Sequence, residues 1–175
     1  AGGQHVRKPA GIIFSPVEHD GNTQGSEEEV ERIKEIVNEL LGRTLIDKKG
    51  NTKQLELGDI LFVAPYNLQV RLLKAALPQN ARVGSVDKFQ GQEAPVVIVS
   101  MCSSAGEDGP RGLEFLLDKN RINVAVSRAQ TLAIVVGDPR IASAPCSSVA
   151  DMERLNLFCR LQIFNDFLAY TKSAN

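Results

Sequence analysis

The sequence predicts a three-layer α/β domain with a mainly parallel sheet, on three observations: short apolar runs recur along it, they lack polar alternation, and segments of helical periodicity separate them. A strand can dispense with polar alternation only when both its faces are buried, as in a parallel sheet covered by crossover helices.

Ala10 to Val17 (AGIIFSPV) is the first strand, ended or placed at a sheet edge by Pro16. Ser26 followed by Glu27, Glu28 and Glu29 marks a helix start, with a hydroxyl to cap free backbone N–H groups and acids against the positive dipole end. These acids, with Glu31, read as a solvated helix start rather than a metal site. Val30, Ile33, Ile36, Val37, Leu40 and Leu41 repeat at helical spacing up to Gly42. Lys48 to Asn51 (KKGN) is a turn between two short strands, and Asp59 to Ala64 (DILFVA) a second buried strand. A helix over Asn67 to Leu77 buries Val70, Leu73, Ala76 and Leu77 and stops at Pro78. Arg82 to Val86, Pro95 to Met101 and Thr131 to Gly137 are three further strands, with a helix over Glu114 to Ala129 before the last. A closing helix over Asp151 to Tyr170 carries a broad apolar stripe.

The chain has 175 residues, 43% of them hydrophobic, which is the size of one compact domain covering 1–175. Its longest apolar run, Val96 to Cys102, is far short of the roughly 20 residues that cross a bilayer, and the start lacks a signal pattern. A soluble, cytoplasmic protein with no membrane partner is expected. Cys102, Cys146 and Cys159 show no paired spacing, so neither disulfides nor zinc are indicated, and all three are expected as buried, reduced thiols. Twenty Lys and Arg balance 21 Asp and Glu, so nucleic-acid binding has to be argued from local residues.

Ligands of such sheets sit beyond the carboxyl ends of the strands, here Ala64 to Gln69, Asp87 to Glu93, Cys102 to Arg111 and Asp138 to Arg140. There is no G-x-x-x-x-G-K-[ST] phosphate loop, no G-x-G-x-x-G, no G-x-S-x-G elbow and no acidic metal box after a strand, which disfavours a self-sufficient nucleotide hydrolase or a triad enzyme. In GSVDKFQGQE, Gly91 lets backbone N–H approach a phosphate and Glu93 can accept from a ribose hydroxyl. On spacing alone the segment reads first as an ordinary crossover turn, with Gly91 there for conformation and Glu93 solvated. In NRINVAVSRAQ, Arg121 and Arg128 fall near one face of a helix, and Arg128 either aims its planar donor fork at a phosphate or offsets the helix dipole. Asp108 to Gly112 is a loop at a nucleic-acid face or a plain turn.

VDKFQGQE resembles motif V, and NVAVSRA motif VI, of superfamily 1 helicases of the Upf1-like and Dna2-like branch. Ala64-Pro65-Tyr66-Asn67-Leu68-Gln69 is similar to that branch's T-P-Y-x-x-Q segment, with Ala in place of Thr. Their order matches the second RecA-like motor domain, a P-loop-NTPase-like fold without its own phosphate loop. EDGPRGLEFLLDKNRINVAVSRA and MERLNLFCRL further resemble a bacterial group with a RecB-like nuclease domain fused ahead of the motor. The resemblance implies that Arg128 is an arginine finger on the γ-phosphate, that Glu93 contacts ribose, and that Gly91 faces the phosphate side of the cleft. It implies that Ser85, Asp87 and Gln90 link the cleft to nucleic acid, while Pro65, Tyr66, Asn67 and Gln69 line the single-strand path. Tyr66 is open between base stacking and strand-end packing.

Motifs I, II and III and the Q-Y-R-x-H-P segment are absent, so the resemblance implies half of a motor. ATP and Mg2+ would be bound mainly by an N-terminal RecA-like domain of the same protein, single-stranded nucleic acid, DNA first, would be the partner, and the isolated domain would be inactive. The competing expectations are a non-catalytic α/β module that binds nucleic acid or protein, and an unrelated phosphate-handling enzyme.

Overall fold

The computed structural model describes residues 4–7, 9–46, 49–104 and 124–143. Its frame is a five-stranded parallel sheet formed by β1 (Gly11–Pro16), β4 (Ile60–Val63), β5 (Arg82–Gly84), β6 (Ala94–Ser100) and β7 (Ala129–Gly137), in the spatial order β1-β7-β6-β4-β5. The short strands β2 (Thr44–Ile46) and β3 (Thr52–Gln54) pair antiparallel as a separate hairpin, and Gly50 between them takes φ +84°.

Successive strand residues point to opposite faces, and both faces are apolar, as the uninterrupted runs require. Ile13, Phe62, Ile98 and Ile134 share the face covered by α1 (Glu27–Leu40) and α2 (Asn67–Ala76). Phe14, Leu61, Val97, Val99 and Val135 line the other, closed among the described residues by Phe89, Met101, Ala125 and Ile141.

The helix α1 forms where its signals stand. Ser26 is extended (φ −142°) and its Oγ accepts from the Glu29 N–H, which satisfies one of the orphan donors at a helix start. Val30, Ile33, Ile36, Val37 and Leu40 fall on one stripe and are buried; truncating Ile36 to Ala would cost about 2–5 kcal/mol. The helix ends as Gly42 turns left-handed at φ +79°. Helix α2 carries no side-chain cap at Tyr66, and its first turn is held instead by Gln69, as described below.

Four differences from the sequence expectation stand out. Strand β7 begins at Ala129, because its pairing with β6 extends down to Ala94 opposite Ala129 across a register shift. The helix expected to run to Ala129 therefore ends earlier: its described part is the turn 124–127, closed by Ser127 Oγ donating to Val124 O at 2.8 Å, and Arg128 lies in the bend that enters β7. Strand β5 stops at Gly84, since the next residues belong to the crossover and a 3-10 turn at Asp87–Phe89. Glu29 is buried rather than solvated. The closing helix 151–170, the loop 108–112, Arg121, Cys146 and Cys159 lie outside the described residues. Cys102 is a free, buried thiol. Among the described residues no helix is long and apolar enough to cross a membrane.

Candidate functional site

The residues singled out in the sequence divide between the two edges of the sheet. At the carboxyl edge β4 leads into Pro65 and Tyr66, both half-buried, and Asn67, exposed at the start of α2. Burial, and then the nearby Cys102, raise the Tyr66 phenol above its usual range. From β5 the chain passes through half-buried Ser85 to exposed Asp87 and Gln90. Lys88, within this stretch, donates from Nζ to Val83 O at 3.0 Å and lies 5.6 Å from the centre of the Phe89 ring.

Gln69 does not line a surface path. It is fully buried, with Oε1 accepting from Ser26 N at 2.8 Å and Nε2 donating to Ser26 O at 3.1 Å and to Ser100 Oγ at 2.9 Å. The reason is helical geometry: the spacing that leaves Asn67 in solvent turns Gln69 toward α1.

Gly91, Glu93 and Arg128 sit at the opposite, amino edge. The crossover from β5 to β6 travels the length of the sheet, so its first residues lie at one edge and its last at the other. The expectation that all of Asp87 to Glu93 lies beyond the carboxyl ends is corrected accordingly. Two bonds fix the placement: Arg82, first in β5, donates from its guanidinium to Gln92 Oε1 at 2.9 Å, and Ala94 N donates to Arg128 O at 3.0 Å. Gly91 is exposed at φ +76°, a conformation that favours glycine, with open space where a Cβ would stand. Glu93 is exposed and accepts from Gln130 Nε2 at 3.3 Å. Arg128 is half-buried, and its buried Nε has no hydrogen-bond partner among the described residues. A buried, unpartnered donor on a permanent cation is costly to a fold and suits an anion supplied from outside. Among the described residues no group of three or more His, Cys, Asp or Glu is placed to hold a metal ion.

Sequence reasoning missed a buried polar cluster at the carboxyl edge. Three donors converge on the Glu29 carboxylate: His19 Nε2 at 2.8 Å, Ser100 Oγ at 2.5 Å, and Cys102 N at 2.9 and 3.0 Å from its two oxygens. His19 Nδ1 contacts Ser104 Oγ at 2.7 Å, and Ser104 exchanges bonds with the Asn22 backbone. Arg140 donates to both oxygens of the buried Asp138 and to His19 O, and pairs with Asp20 at 3.0 Å. Burial pulls the His19 pKa down, but the bond to Glu29 and the charges of Glu29, Asp138 and Glu28 outweigh it, so the net shift is upward. Burial and then the Glu29 charge push the Cys102 thiol far up, which keeps it protonated and unreactive. Cys102 also takes φ +52°, uncommon for a residue with a side chain, and this turns its N–H onto Glu29. The only linear signal was Ser26-x-x-Glu29, the spacing of a capping box, in which Glu29 would return to Ser26 N. Gln69 occupies that N–H, so the Glu29 carboxylate faces the sheet edge instead.

A family model described as an AAA domain matches residues 13–140. DNA-binding protein SMUBP-2 of Mesocricetus auratus is 44% identical over 88 residues, covering 47% of this chain and 8% of its own length. RNA helicase Mov10l1 of Homo sapiens is 37% identical over 103 residues, or 54% and 8% of the two chains. The Arabidopsis thaliana protein named DNA replication ATP-dependent helicase/nuclease JHS1 is 33% identical over 125 residues, or 71% and 9%. The chain thus spans less than a tenth of the length of each of these three relatives.

Proposed function

The chain belongs to the AAA domain family, and from that premise we propose that it is the second RecA-like motor domain of an ATP-dependent helicase of superfamily 1. It forms one wall of the ATP cleft and part of the single-strand path. The observation that carries this reading is Arg128: a half-buried guanidinium at the amino edge, its Nε without a partner among the described residues, in the bend fixed by Ala94 beside Glu93. There it acts as the finger for a nucleotide held by the opposite domain. As water attacks the γ-phosphorus and the bond to the β–γ bridging oxygen breaks, the guanidinium stabilises the charge on the transferring group. Gly91 leaves room for a phosphate to approach the backbone, and the exposed Glu93 carboxylate accepts from a ribose hydroxyl. The phosphate loop and the ligands of Mg2+ belong to an N-terminal motor domain of the same protein. When bound, the ion neutralises charge on the β- and γ-phosphates.

Pro65, Tyr66 and Asn67 meet the strand at the other edge, and Ser85, Asp87 and Gln90, in the crossover that leaves that edge, link it to the cleft; polar groups meet backbone phosphates, and the Tyr66 ring stacks on a base. Single-stranded DNA is the proposed substrate, followed 5′ to 3′ in the cytosol, and an RecB-like nuclease domain precedes the motor. DNA is supported by JHS1, which matches 71% of this chain and is named for DNA replication. The test is ATP turnover by the full-length protein with and without single-stranded DNA or RNA, beside the 175-residue chain alone. The reading expects DNA-stimulated turnover by the full-length protein and none by the chain alone. Stimulation by RNA only would replace the substrate, and hydrolysis by the chain alone would overturn the half-motor assignment in favour of a self-contained enzyme.

A further inference from the structure

We infer that Ser100 is a positioning residue, the point through which the nucleic-acid-facing start of α2 is joined to the strand that carries the nucleotide edge. The inference rests on the proposed motor function and extends it to a residue that touches neither ligand.

Strand β6 meets both edges. At its start, Ala94 N donates to Arg128 O at 3.0 Å, fixing the bend from which the guanidinium projects. At its end, the Ser100 hydroxyl accepts from Gln69 Nε2 at 2.9 Å and donates to Glu29 Oε2 at 2.5 Å. Gln69 lies in the first turn of α2, which begins with Asn67 directly after Tyr66, and it also grips both backbone groups of Ser26. The fully buried side chains Gln69, Ser100 and Glu29 therefore form one hydrogen-bonded line, which His19 continues to Ser104. With its single hydroxyl, Ser100 uses its donor and one acceptor site in this line. A shift of the start of α2 as a strand binds is transmitted through Gln69 to the end of β6, and β6, paired on both sides by β4 and β7, moves as a rigid bar.

Removing that hydroxyl cuts the line at one atom and leaves the flanking groups partnered. Gln69 keeps Ser26, and Glu29 keeps His19 and the Cys102 N–H. The test compares wild type, Ser100→Ala and Ser100→Thr in the full-length protein, reading basal turnover, turnover saturated with single-stranded DNA, and DNA affinity. Ser100→Ala is expected to keep basal turnover and DNA affinity within about twofold while losing about fivefold or more of the stimulation by DNA. Ser100→Thr restores it. Should the alanine variant unfold, Ser100→Cys, close in volume with a weak donor, carries the same expectation. Wild-type stimulation in Ser100→Ala would overturn the inference and leave the motor reading standing, as would equal losses of basal and stimulated turnover. A wild-type protein that nucleic acid does not stimulate would overturn both.

Discussion

At the carboxyl edge of the sheet three donors satisfy one buried carboxylate, and the surrounding side chains hold one another; at the amino edge a half-buried guanidinium keeps an Nε with no partner among the described residues. Both arrangements bury charge, which is unfavourable unless compensated. At the carboxyl edge the compensation lies within the chain, so Glu29, His19, Ser100 and Gln69 serve the fold and its rigidity. At the amino edge none of the described residues supplies it to the Arg128 Nε, which is the arrangement an external anion would complete. The filled valences at the carboxyl edge tie its residues into one buried network, whereas the open Nε of Arg128 leaves a place for an acceptor.

The comparison breaks most visibly at Glu29. Glu29→Ala leaves His19 buried without its counter-ion and strips Ser100 and the Cys102 N–H of an acceptor, so urea unfolding is expected to show a loss of about 3–5 kcal/mol. A loss below about 1 kcal/mol would mean that the carboxyl edge is no more committed than the amino edge.

The pH dependence sharpens the same contrast. Because the folded-state pKa of His19 is raised, the native state binds more protons than the unfolded state between about pH 6.5 and that raised value. The stability contributed by the pair is fully present below about pH 6.5 and is lost as pH rises through the folded pKa. Chemical denaturation from pH 6 upward should show stability falling in wild type and a flatter profile in His19→Gln. A wild-type curve that instead rises over that window would contradict the upward shift.

Smaller effects belong to the amino edge. Gly91→Ala meets no neighbour, so only its left-handed backbone is penalised, and a loss of about 1–2 kcal/mol in thermal unfolding is expected. Arg128→Ala removes a half-buried cation whose Nε no described residue partners, so thermal unfolding is expected to show stability unchanged or raised by about 1 kcal/mol.

The sheet was legible because ILFV and VVIVS can be buried on both faces only in a covered parallel sheet, and α1 because Ser26 and the stripe from Val30 to Leu40 act locally. The composition of the candidate site was legible as motifs, but its division between two edges was not, since spacing does not say that a crossover traverses the sheet between Ser85 and Glu93. Glu29 escaped notice for a physical reason. An acid in the first turn of a capped helix is the ordinary dipole signature, and the groups that make it a buried hub, His19 and Ser100, stand 10 and 71 positions away. Gln69 was read with Pro65, Tyr66 and Asn67 as one surface segment, although helical rotation turns it inward.

The most direct test of the central claim is turnover of ATP by the full-length protein carrying Arg128→Ala beside wild type, at saturating ATP and single-stranded DNA. If the Arg128 guanidinium serves the transition state, turnover falls by about 10³–10⁵ while nucleotide affinity is largely kept. An unchanged rate would make Arg128 a charge at the end of a helical turn and contradict the account.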